Sequence, residues 1–138
     1  MVKPEIIAAR LGRLQEYLKI LGGLRRYAES RLTEDPLLRG SAEHYLHLAI
    51  ECCLDMANHV IADKGLRKPQ DYKDVFLVLG EAKIIPSPFV NKRLVPMVGF
   101  RNRLVHDYLH VDPKEIFRVL QDHLGDFRRF ARAFERFL

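Results

Sequence analysis

Long apolar runs are missing from this chain. No stretch approaches the ~18–20 consecutive apolar residues that cross a bilayer, and the opening MVKPEIIAAR has neither the h-region nor the cleavage site of a signal peptide. A cytoplasmic protein with no membrane role is therefore expected. Cysteine is equally scarce. Cys52 and Cys53 are adjacent in a helical pattern and point about 100° apart, so they do not staple distant segments and read as reduced core thiols. Without a further cysteine to complete it, a metal or redox site on this pair is disfavoured. No useful length alternates with strand periodicity, which excludes a β architecture. A P-loop, a G-x-G-x-x-G turn and a Ser nucleophile elbow are all absent, as are repeats, low-complexity tracts and linkers.

What is present fits one domain. A chain of 138 residues, 48% hydrophobic and 30% charged, buries about two-thirds of its unfolded surface around a single core. The pattern predicts an all-α, single-domain, up-and-down helical bundle of about five helices spanning residues 1–138. The first helix opens at Pro4 and carries Ile7, Leu11, Leu14, Leu18 and Leu21 on one side. Leu24, Tyr27 and Leu32 keep roughly that phase, so Gly22-Gly23 reads as a soft middle in one helix. Asp35-Pro36 caps a second helix, with Ser41 as another possible start. That helix runs to Lys64, is closed by Gly65, and should bury Tyr45, Leu46, Ala49, Ile50, Cys52, Cys53, Met56 and Val60.

A short third helix is expected from Asp71 to about Lys83, and a fourth from Ser87 as cap with Pro88 following. Pro96 removes a backbone donor and predicts a kink or break ahead of residue 99. Asp112-Pro113-Lys114-Glu115 starts a last helix that buries Ile116, Leu120, Leu124, Phe127, Phe130 and Phe134.

Charge and polar patterning add weaker signals. The chain is net +5, which permits nucleic-acid binding without demonstrating it. Arg128, Arg129, Arg132 and Arg136 form a cationic stripe on the last helix. His47, Glu51, Asp55 and His59 step by four along the second helix, but each step drifts by about 40°, and no Glu-x-x-His pair exists to build a bundle metal site. A hydrogen-bonded polar rim is the expected role of this row, with no metal bound.

The densest chemistry lies in Gly99–Val111, GFRNRLVHDYLHV, where Arg101, Asn102, His106, Asp107 and Tyr108 fall within eight positions. The Arg-x4-His-x-Tyr spacing resembles the signature of HEPN ribonucleases, and Met97–His106 closely resembles the HepT-like toxins. Ala49–Val75, with its Gly-Leu-Arg break and Tyr-x-x-Val restart, resembles the same family, and the likeness extends from about Leu37 to Val119. The resemblance implies a HEPN-like bundle acting as a metal-independent endoribonuclease toxin of a type VII toxin–antitoxin system. It implies an RNA substrate, no cofactor, a homodimer, and a minimal, MntA-like nucleotidyltransferase antitoxin that transfers AMP to Tyr108. A non-catalytic helical module that partners such a nucleotidyltransferase is the alternative.

The residue types suit that chemistry. Self-cleavage of RNA by a 2′-hydroxyl needs a proton moved near neutral pH, the range in which a histidine ordinarily titrates. His106 is assigned as general acid/base, Arg101 as phosphate stabiliser and Asn102 as an orienting group. Arg103, Arg128 and Arg132 are candidate RNA contacts. A phenol, ordinarily titrating near about pH 10, is a poor base, so Tyr108 is expected to bond or stack RNA and to accept AMP. On a continuous helix Arg101 and Tyr108 fall within about 20° of each other, whereas His106 lies about 140° from Arg101. Either the helix ends near His106 or a second copy completes the site; the resemblance favours the second.

Overall fold

The computed structural model describes residues 2–138, and every regular element among them is helical. Helix α1 (Pro4–Leu24) starts on its proline and buries Ile7, Leu11, Leu14, Leu18 and Leu21 along helix α3 (Pro36–Asp63). It does not run on to Leu32. Two adjacent glycines each lower helix propensity by about 1 kcal/mol relative to alanine. The chain turns over residues 25–28 with Ala28 extended, and a separate short helix, α2 (Glu29–Glu34), puts Leu32 into the core.

Asp35 caps α3 by accepting from the backbone N–H groups of Leu37 and Leu38. The helix passes through Gly40-Ser41 without restarting. It closes as the glycine predicts: Gly65 takes φ +64°, and the Leu66 N–H reaches the Ile61 carbonyl. Its expected stripe is buried except for Tyr45, which is half-buried against Tyr17. Cys52 and Cys53 are free and buried. Burial pushes both thiols above their ordinary range, well above it for Cys53, which holds them protonated.

Helix α4 (Tyr72–Glu81) is capped by Asp71, which accepts from the Asp74 N–H. Ser87 is not the cap of the next segment. It is the first residue of a short turn, α5 (Ser87–Phe89), and its hydroxyl donates to the Gly80 carbonyl. A Cβ at Gly80 would stand 3.3 Å from Ser87 Oγ, so the glycine permits this approach. A π-helical segment, Val90–Leu94, then leads into α6 (Val95–His106). The wider turn precedes Pro96, whose missing N–H breaks the regular ladder, and the Val95 N–H reaches back to Val90.

After a 3₁₀ turn at Tyr108–His110, Asp112 caps α7 (Pro113–Asp122), which is followed by α8 (Leu124–Phe134). The expected single last helix is thus broken at His123. Arg93, from the π segment, donates to both Asp126 carboxylate oxygens and to the Asp122 carbonyl, and His123 Nδ1 lies 3.0 Å from Asp126. These bonds hold the broken turn while Ile116, Leu120, Leu124, Phe127, Phe130 and Phe134 all stay buried. The five expected rods form the bundle, the first and last of them broken and the fourth interrupted by the π segment. No helix of the described residues is long and apolar enough to cross a membrane.

Candidate functional site

Helix α6 carries Arg101, Asn102, Arg103 and His106, and its neighbours α3 and α4 decide what each can do. Arg101 points inward and is only 8% exposed. Its Nε donates to Glu51 Oε1 of α3 at 2.7 Å, its Nη1 donates to Asn102 Oδ1 at 3.2 Å, and its guanidinium carbon lies 4.3 Å from the centre of the Tyr72 ring. The same Glu51 oxygen is 3.2 Å from His47 Nε2. A buried guanidinium is thus gripped on an edge and a face. The arrangement compensates the desolvation of the charge and fixes the plane of its remaining donors.

Sequence reading missed Glu51 and Tyr72 as parts of this site. Glu51 stood in the polar row of α3 and Tyr72 in the Tyr-x-x-Val restart; neither has a local spacing that ties it to Arg101. The rest of the row has other partners: Asp55 lies 3.7 Å from Arg10, and His59 accepts from the Lys3 N–H. Burial raises the Asp55 carboxyl, an effect opposed by Arg10. Among the described residues no three His, Cys, Asp or Glu side chains group as a metal site would require.

Asn102 and His106 are exposed and share an open groove of about 580 Å³ with Asp71, Tyr72, Lys73 and Val98. Arg101 reaches it through two of its walls, Asn102 and Tyr72. The helix ends at His106, where the Asp107 N–H closes on Arg103 and Asp107 leaves the helical region at φ −139°, ψ 37°. Tyr108 therefore does not continue the helix, and the alignment expected between Arg101 and Tyr108 is lost. It sits on the 3₁₀ turn, 63% exposed, and lines a different cleft with Arg39, Glu43 and Val111. His110 Nδ1 and Asp107 Oδ1, 2.6 Å apart, brace that turn.

Arg103 is paired with Glu115 of α7 through Nε and Nη2. Arg128 and Arg132 are exposed on α8 in a surface cleft with Gln15 and Lys19 of α1, and no motif residue lines it. The stripe is further divided, since Arg129 covers the Phe89 ring and Arg136 bonds the Ala133 carbonyl. The structure thus joins Arg101 with Asn102, sets His106 beside Asn102, and leaves Tyr108 and the α8 arginines on other surfaces.

Comparison with known proteins agrees with the family resemblance. Residues 10–134 match the family model described as ribonuclease HepT-like. The "mRNA nuclease HepT" of Shewanella oneidensis is 36% identical over 101 residues, 73% of this chain and 75% of that protein. The "tRNA nuclease HepT" of Aphanizomenon flos-aquae is 27% identical over 140 residues, 99% of this chain and 92% of that one. Among solved structures, the tri-AMPylated Shewanella oneidensis HEPN toxin in complex with MNT antitoxin superimposes with a TM-score of 0.86 at 30% identity, over 95% of this chain and 97% of that chain.

Proposed function

Because the chain belongs to the ribonuclease HepT-like family, we propose that it is a metal-independent endoribonuclease toxin whose site is built on Arg101, Asn102 and His106. A minimal nucleotidyltransferase antitoxin neutralises it by transferring AMP to Tyr108. The observation that carries this reading is the grip on Arg101. Glu51, Asn102 and Tyr72 hold a buried cation in one orientation, and two of them, Asn102 and Tyr72, line the groove that also exposes His106. Such preorganisation favours a transition state that gathers negative charge.

In the proposed reaction the RNA 2′-oxygen attacks the adjacent phosphorus as the bond to the 5′-oxygen breaks. His106, exposed at the end of α6, moves a proton off the first oxygen or onto the second. Arg101 braces the phosphate, and Asn102 orients both the guanidinium and the substrate. Glu51 occupies Nε and Asn102 one proton of Nη1, so Nη2 and the second Nη1 proton remain as donors for a phosphate. Arg101 and His106 are five positions apart, about 140° around the helix, and a second copy of α6 across the groove supplies the missing partner. AMP on Tyr108 adds a bulky anion to the turn that follows His106, and the added charge opposes the approach of an RNA backbone.

His106→Ala tests the assignment. The side chain is exposed, so circular dichroism should not change, while cleavage of RNA should fall on the order of a hundredfold or more and growth inhibition should be lost. Wild-type cleavage should persist in excess chelator. A His106→Ala protein that cuts at the wild-type rate overturns the reading.

A further inference from the structure

Tyr108 lines a cleft of about 480 Å³ that none of Arg101, Asn102 and His106 lines. The geometry points to this cleft as the seat of the adenylate once AMP is on Tyr108, with Arg39 taking the phosphodiester and Glu43 the adenine amine. The inference rests on Tyr108 being the acceptor. In that transfer Tyr108 Oη attacks the α-phosphorus of ATP, the Oη–P bond forms, the bond to pyrophosphate breaks, and the phenolic proton passes to solvent.

The cleft suits what is then attached. Arg39 is already ordered, because its Nη1 donates to the Leu32 and Thr33 carbonyls at 2.9 Å each, tying α3 to α2. A guanidinium has five donors, so this fixing leaves others for an oxyanion. Glu43 stands one turn further along α3, 4.0 Å from Arg39 Nε, and is half-buried. Burial raises its carboxyl, against the pull of Arg39, which marks a partly dry pocket in which an added donor is favoured. The exocyclic amine of adenine is such a donor; guanine would present an oxygen there. Between them Gly40 leaves a bare floor, where an added Cβ would meet nothing within 4 Å, and Pro36, Val111 and Pro113 add apolar edges to a mainly polar cleft. An adenylate seated here is tethered through Tyr108 to the turn that follows His106.

The test uses the full-length, isotope-labelled protein modified by its nucleotidyltransferase with ATP and Mg²⁺, mass spectrometry locating the adduct. Isotope-filtered nuclear Overhauser spectra should connect the adenine ring protons to the Val111 methyls. In Glu43→Ala, phosphodiesterase should release the AMP roughly tenfold faster than in the wild type, the loss expected for one hydrogen bond to a charged group. Contacts to the Val95 or Val98 methyls would place the adenylate in the groove of His106 instead, and no contacts at all would show it unseated; either overturns the inference while leaving Tyr108 as acceptor. Equal release rates remove Glu43 from the site. If no AMP is found on Tyr108, the acceptor assignment fails and this inference with it.

Discussion

Glu51 is where a residue-level reading of this protein turns. Its carboxylate oxygen serves both Arg101 and His47, so it fixes the cation that is proposed to meet the phosphate. Removing its charge should act through Arg101. Glu51→Gln keeps an acceptor at the same place, and RNA cleavage should fall about tenfold with KM nearly unchanged, measured by steady-state kinetics. Glu51→Ala leaves the guanidinium buried without its partner and should cost about 2 kcal/mol in urea unfolding, less than a fully buried pair because Glu51 is partly exposed. Arg101→Lys keeps the charge but cannot lie flat on Tyr72 while bonding both Glu51 and Asn102, so it should lose at least tenfold in rate. Wild-type rates in Glu51→Gln and Arg101→Lys would show that the grip is structural only.

At the scale of elements, the site depends on how α4 is set, because Tyr72 and Asp71 open that helix. Arg67, in the loop after α3, binds Asp74 through Nη1 and Nη2 and Glu81 through Nε and Nη2, spanning α4 from first turn to last. The hydrogen bonds from Arg67, then that from the Gln70 N–H, hold the Asp74 carboxyl down at about 2, and Arg67 lowers Glu81 as well. A depressed folded-state pKa stabilises the fold above the unfolded value and ceases to do so as pH falls through the folded one. The contribution is therefore complete above about pH 4 and lost towards pH 2. The urea midpoint of the wild type should fall more steeply across that window than that of Arg67→Gln; parallel curves would show that the clamp does not stabilise the fold.

At the scale of the whole molecule, Arg101 and His106 lie about 140° apart around α6, so the proposed site is completed by a second copy. Arg101 is buried against α3, and His106 is exposed at the far end of α6. If two copies of α6 share a groove, mixing equal amounts of Arg101→Ala and His106→Ala proteins should restore roughly a quarter of the wild-type rate, because about half of the pairs are mixed and each carries one intact composite site of two. Light scattering should report a dimer at assay concentrations. A fully active monomer, or a mixture no better than its components, would place the whole site in one chain.

The sequence by itself determined the helices, their caps at Asp35, Asp71 and Asp112, the glycine stop at Gly65 and nearly all of the buried stripes. Each of these depends on neighbours within about two turns, and local periodicity and capping chemistry record them directly. It also determined the motif and, through it, the family. Only the tertiary structure decided the breaks: residues 25–28 turn so that Leu32 can reach the core on a separate axis, and His123 yields to bonds from Arg93 thirty residues away. Tertiary structure likewise joined Glu51 to Arg101 across fifty residues and laid Tyr72 on the guanidinium. It also turned Tyr108 away from His106's groove. Such contacts depend on how each helix is rotated about its axis and where it crosses its neighbours, quantities set by the packing of the whole core and written in no single stretch of chain.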